Sequence, residues 1–239
     1  MLRSFPRWAA LAVLACAPSA GRAAVILETE AGGAAANNSV ATAQGIPNSA
    51  FTAPSPPTAF GYNVGSTATI QGIGGGFLNG DVDFYSFTTG GNTFTFDIDG
   101  GADTVLSLFD SSGTLIAFSD DSFPADPGSA DGFDAFIGEI FLGAGTHHVA
   151  VSSFPNLPNG LFSAGATAAL TRPDGAEGGL GVFGATAGDS SFSFDDAQPA
   201  VGSPYTLHIT QNPEPASLAL WSLLGLAAAG YRRRRRTAG

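Results

Sequence analysis

Asn92-Thr93-Phe94-Thr95-Phe96-Asp97-Ile98 alternates between polar and apolar residues at every step. Successive side chains of a strand point to opposite faces. Phe94, Phe96 and Ile98 therefore share one face, and Thr93, Thr95 and Asp97 the other. The pattern predicts a half-buried strand with one wet face. Similar short runs lie on both sides of it: Thr67–Ile73, Val82–Thr88, Thr104–Phe109, Thr114–Phe118, Ala135–Leu142, Thr146–Ser153 and Tyr205–Thr210. Each is bounded by Gly, Asp, Asn or Pro, as strands are. Asp110-Ser111-Ser112-Gly113 reads as a hairpin turn, because Gly takes positive φ without strain. Hairpin-linked strands with no helical period between them predict an all-β fold, an antiparallel β-sandwich or jelly roll.

Two stretches fit that pattern poorly. Residues 24–57 are rich in Ala, Asn, Ser and Pro and read as an extended lead-in to a sandwich over 58–211. Pro155–Pro204 is Gly- and Ala-rich and reads as a long insertion, with Ala164–Leu170 and Ser191–Phe194 as extra strands.

Charge narrows the partners. Between Ala24 and Pro213 the only basic side chain is Arg172, against nineteen carboxylates. Such a surface repels nucleic acid and anionic lipid and attracts divalent cations. Cys16 is the only cysteine, so no disulfide can form within the chain, and the core must hold the fold.

Both ends carry targeting patterns. Arg3 and Arg7 precede the apolar run Trp8–Ala17, and Gly21-Arg22-Ala23 fits a small-residue cleavage site. Residues 1–23 therefore read as an export signal removed by signal peptidase. Val13-Leu14-Ala15-Cys16 offers an alternative, in which Cys16 is lipidated and retained. At the other end stand Pro213-Glu214-Pro215, an uncharged run over 216–231, and Arg232, Arg233, Arg234, Arg235 and Arg236. The prolines block any regular element. The apolar run suits a membrane helix, and the arginines hold its end on the cytoplasmic side. The order of motif, helix and basic cluster over 212–239 resembles the PEP-CTERM sorting signal of exported bacterial proteins. That resemblance implies cleavage near the motif by an exosortase-type membrane protease, after transient anchoring. The destination would be the cell surface or extracellular matrix.

A second resemblance covers most of Glu28–Thr210. Glu28-Thr29-Glu30, Asn37-Asn38-Ser39, Gly80-Asp81-Val82-Asp83-Phe84-Tyr85, Leu106–Asp110 and Gly143–Val151 follow the order of the bacterial pre-peptidase C-terminal domain. That family forms a small β-sandwich appended to secreted enzymes, and some members bind calcium. The resemblance implies calcium ligands at Glu28, Glu30, Asn38, Asp81 and Asp83. Two departures stand out: Ala31–Ala36 separate the acidic pair from the asparagines, and about fifty residues separate the last two strands. Without the resemblance, Asp81 and Asp83 read equally as turn caps accepting backbone hydrogen bonds.

Other acidic clusters are open to two readings. Asp97-Ile98-Asp99-Gly100-Gly101-Ala102-Asp103 lacks the full EF-hand spacing and reads as a Gly-rich hairpin turn or a calcium loop. Asp120, Asp121, Asp126, Asp131 and Asp134 read as one solvated acidic loop. His147 and His148 are strand neighbours facing opposite ways, so they and His208 read as structural. There is no Gly-x-Ser-x-Gly elbow and no lysine base, so no catalytic residues are assigned. The expected role is non-catalytic, at the cell surface, in association with exopolysaccharide. The alternatives are a glycan- or protein-binding module using the 155–204 insertion, and a secreted hydrolase with paired carboxylates.

Overall fold

The computed structural model describes residues 25–28, 37–52, 65–72, 82–100, 103–126, 128–129, 132–161, 166–172, 174–183, 189–192 and 204–212. The expected export signal over 1–23 with Cys16, the Pro213-Glu214-Pro215 motif, the apolar run 216–231 expected to form a membrane helix, and Arg232–Arg236 lie outside them. Among the described residues no helix is long and apolar enough to cross a membrane.

Among the described residues, twelve strands form two packed sheets. The five-stranded sheet runs β1 (Val25–Leu27), β3 (Ser66–Gln71), β12 (Tyr205–Asn212), β5 (Asn92–Gly100) and β8 (Phe136–Leu142). The seven-stranded sheet runs β10 (Ala166–Thr171), β11 (Glu177–Phe183), β7 (Leu115–Ser119), β6 (Thr104–Phe109), β9 (Gly145–Ser153), β4 (Asp83–Thr89) and β2 (Gln44–Gly45). The fold is thus an all-β sandwich, but its sheets are mixed rather than purely antiparallel. The edge strands β1 and β2 pair in parallel with β3 and β4. Both come from the segment read as an extended lead-in. Its short pieces, apolar Val25–Leu27 and polar Gln44–Gly45, pair with strand edges that would otherwise expose unpaired N–H and C=O groups.

The alternation that predicted β5 holds on its inner face. Phe94, Phe96 and Ile98 pack between the sheets with Tyr85, Phe87, Leu106, Leu108, Val149, Val151, Leu207 and Ile209. The outer face departs from the expected wet surface. Thr95 and Asp97 are buried there, beside buried Thr67, Thr69, His208 and Thr210. Four of these groups pair across strands: Thr67 Oγ1 lies 2.9 Å from Thr210 Oγ1, and Thr69 Oγ1 lies 3.1 Å from His208 Nδ1, whereas Thr95 Oγ1 is buried without a hydrogen-bond partner. Buried polar atoms paired in this way avoid the cost of lost hydration.

The Asp110 turn closes the β6–β7 hairpin as expected. Asp110 Oδ1 accepts hydrogen bonds from the N–H of Ser112 (2.8 Å), the N–H of Thr114 (2.9 Å) and the Ser112 hydroxyl (2.6 Å), and Gly113 has φ 81°. Burial acts to raise its carboxyl, but these hydrogen bonds outweigh burial and hold it below its ordinary value. The Asp97–Asp103 stretch is not a hairpin. β5 and β6 lie in different sheets, so the chain crosses between layers there, and Asp97, Asp99 and Gly100 belong to β5 itself.

The insertion has two structural jobs. Its ends cover the outer face of the seven-stranded sheet. There Leu161 and Phe192 join Val82, Phe84, Val105, Phe109, Leu115 and Ala150 in a second core. Phe192 meets Phe84 edge-on at 5.9 Å. Its middle supplies β10 and β11. Of the expected Ser191–Phe194 strand, only a single bridge between Pro158 and Phe192 is described. β11 carries no legible alternation because its glycines serve close packing. A Cβ at Gly138 of β8 would overlap the Thr171 carbonyl, and one at Gly178 would press on Gly138. The edge of one sheet thus meets the other backbone to backbone, which only glycine permits.

Candidate functional site

Two groups of side chains stand out among the described residues: buried carboxylates around Tyr205, and a cleft between β7 and β11.

Of the five expected calcium ligands, Glu28, Asn38 and Asp83 are described. Glu30 and Asp81 lie outside the described residues. Glu28 follows β1, anchored by its N–H to the Gln71 carbonyl at 3.1 Å. Asp83 opens β4, whose next residue donates its N–H to the Asn37 carbonyl at 2.9 Å. Both carboxylates are buried, Asp83 fully. They converge on Tyr205 of β12. Its hydroxyl donates to Asp83 Oδ2 at 2.7 Å and lies 2.6 Å from the Tyr85 hydroxyl. Because the Tyr205 proton goes to Asp83, Tyr85 must donate to Tyr205. Burial, then Asp83, Tyr85 and Glu28 in turn, push the Tyr205 phenol well above its ordinary 10.0. Asn38 Oδ1, next in sequence to the Asn37 that accepts from β4, is buried without a hydrogen-bond partner. Buried carboxylates with an orphaned amide oxygen suit a hard cation, which takes oxygen ligands. Glu28, Asn38 and Asp83 would hold it. The pairing of the two tyrosines gave no signal in the sequence.

The second site is a cleft of about 280 Å³ between the end of β7 and β11. Asp120, Asp121 and Phe123 form one wall, and Glu177 and Leu180 from the insertion form the other. Phe123 is 59% exposed and meets the exposed Phe133 edge-on at 6.0 Å. Arg172 holds the loop beneath it. Its Nη1 donates to Ser122 Oγ and to the Pro124 carbonyl, on either side of Phe123. Burial, then the Asp121 and Asp103 carboxylates, push the Asp120 carboxyl up to about 6. The acidic stretch read as one loop is thereby divided. Asp120 and Asp121 line the cleft with Asp103 close to them, while Asp97 and Asp99 gather with Asp126. Asp134 turns inward, and its Oδ2 accepts the Gly100 N–H at 3.1 Å. Asp131 lies outside the described residues.

The histidines stay in packing roles on β9. His147 Nε2 lies 3.0 Å from the Gly143 carbonyl, and burial lowers the proton affinity of His148. His208 instead lies with Nε2 3.0 Å from Asp99 Oδ2. No protein-family model matches the chain, and no curated protein matches it in sequence.

The Asp120 environment makes a pH-dependent prediction. Its folded-state value lies above the ordinary 3.8, so between pH 3.8 and about 6 the folded chain binds more protons than the unfolded one. Stability therefore falls as pH rises through that window. Asp120→Asn removes this loss. With allowance for screening at a half-exposed group, a gain of about 1 kcal/mol is expected at pH 7, or roughly 2–4 °C in Tm. At pH well below 3.8 the variant and wild type should melt together. Melting curves at both pH values check this.

Proposed function

We propose that this chain is an exported, non-catalytic surface or matrix protein that binds exopolysaccharide in the cleft between β7 and β11. The single observation that carries the reading is Phe123, widely exposed beside Asp120, Asp121 and Glu177. Sugars present apolar C–H faces and polar edges, so an aromatic ring next to carboxylate acceptors suits them. An exposed aromatic pair also marks an interaction surface rather than an ordinary one. The insertion supplies the far wall, which joins the matrix role and the binding-module reading in one site. The PEP-CTERM-like tail supports the destination, with processing at Pro213-Glu214-Pro215 by an exosortase-type protease. Calcium at Glu28, Asn38 and Asp83, with Glu30 and Asp81, would brace the β1–β4–β12 end.

The test is retardation of the full-length protein in gels containing extracellular polysaccharide from the producing cells. Wild type should be retarded, and Phe123→Ala should weaken binding about tenfold, the loss of a well-packed aromatic contact of about 1.4 kcal/mol. Equal migration of the two would reject the cleft. The raised proton affinity of Asp120 favours a second reading, a glycoside hydrolase with Asp120 as proton donor. Release of reducing ends that disappears in Asp120→Asn would replace the binding role with that one. For calcium, the full-length protein should melt higher in calcium than in chelator. Saturation at a hundred times Kd adds about 2.7 kcal/mol. Asp83→Asn should reduce that gain.

A further inference from the structure

We propose that Asp97, Asp99 and Asp126 form a calcium site on the outer face of the five-stranded sheet, independent of the Glu28–Asp83 group. Asp97 and Asp99 stand two apart on β5 and so share its outward face. Asp126 reaches them from the β7–β8 loop. One carboxylate oxygen of each lies within 4.8 Å of the others. Calcium bonds oxygen at roughly 2.3–2.6 Å, so oxygens on one ion stand up to about twice that distance apart.

Burial sets this group apart from a solvated acidic patch. Asp97 is 1% and Asp126 5% exposed. Asp126 Oδ1 accepts the Ser129 hydroxyl, whereas its Oδ2 is buried with no hydrogen-bond partner. Asp99 Oδ1 is likewise buried and unpartnered. Such atoms forfeit hydration with nothing in return unless a ligand meets them. His208 stands against the cluster, its Nε2 3.0 Å from Asp99 Oδ2. One imidazole carries at most one positive charge against three carboxylates. Arg172 is committed to Asp174, Ser122 and Pro124. A divalent cation supplies the missing charge, and His208 then orients Asp99 from behind, as neighbours of metal ligands do.

The loop is shaped to close on this point. Gly128 has φ 126°, and a Cβ there would overlap the Asp99 carboxylate. Ser129 ties the same loop to β5, its hydroxyl 3.4 Å from the Ile98 carbonyl. An all-carboxylate donor set favours a hard cation, and the one loop-borne ligand, Asp126, can adjust its position, which favours calcium over the rigid octahedron of magnesium.

Calcium titration by calorimetry on the full-length protein in mild detergent tests the site, using wild type, Asp126→Asn and Asp83→Asn. Asp126→Asn should weaken one binding step at least tenfold, and Asp83→Asn should leave that step in place. Identical titrations for wild type and Asp126→Asn overturn the proposal. Loss confined to Asp83→Asn would also overturn it, while leaving the Glu28–Asp83 reading intact. Hydrogen exchange on the unmutated protein guards against a variant that fails to fold. Calcium should slow exchange in the segment 122–134, and no change there at saturating calcium counts against the site.

Discussion

Tyr205→Phe is expected to lower stability by about 3 kcal/mol, or roughly 6–12 °C in Tm. The Tyr205 hydroxyl stands in the middle of a buried chain in which Tyr85 donates to Tyr205 and Tyr205 donates to Asp83. Its loss removes the acceptor of one group and a charge-assisted donor to the other, at a carboxylate with no exposed surface. Tyr85→Phe should cost less, about 1 kcal/mol, because Tyr205 still reaches Asp83. The pair also predicts alkaline sensitivity. The Tyr205 phenol is raised in the folded state, so its contribution is complete below the ordinary 10.0 and is lost as pH climbs past it. Wild type should therefore lose stability above pH 10 more steeply than Tyr205→Phe. Thermal melts of the three proteins at pH 7, and of two at alkaline pH, check both points. A Tyr205→Phe loss no larger than that of Tyr85→Phe would refute the directed chain.

Arg172→Ala is the second large effect, again about 3 kcal/mol. This side chain is 2% exposed. Nη2 pairs with Asp174 Oδ2 at 2.8 Å, Nη1 serves Ser122 and Pro124, and the guanidinium lies 5.8 Å from the Phe136 ring centroid. Truncation strands these acceptors and empties space beside Phe136. Asp174 keeps partial access to water, which holds the loss near the lower end for a broken buried pair. Arg172→Lys should rescue little, since one ammonium cannot reproduce a fork that serves two loops. Because Ser122 and Pro124 flank Phe123, Arg172→Ala should also weaken polysaccharide binding well below its melting temperature. Melting and gel retardation on the same samples measure both effects. Unchanged retardation would mean that Phe123 is positioned without the arginine.

Much of the fold was legible because strand formation is written in neighbours two residues apart. Thr104–Phe109 was found to the residue, and β5, β9 and β12 were found with ends extended by one or two positions. β11 was missed because glycines demanded by the approach of Gly138 and Thr171 erase its alternation. The second core was missed for a different reason. Phe84 and Val105 look like the off-face residues of half-buried strands until Leu161 and Phe192 are laid over them. The buried outer face of β5 misled in the same way, since Thr95 and Asp97 are polar yet covered.

At the sites, sequence singled out Glu28 and Asp83, and the structure sets both around Tyr205, a residue some 120 positions from Asp83 that local sequence could not supply. It grouped Asp120, Asp121 and Asp126 as one loop, whereas packing sends Asp126 to β5 and the other two to the cleft. The sequence by itself determined the strands, the Asp110 turn and the acidic character of the body, because each depends on adjacent residues or on composition. Only the tertiary structure decided which sheet each strand joins, which polar face is covered and which carboxylates converge. Those outcomes depend on long-range pairing between segments far apart in the chain, and local alternation carries no record of the partner.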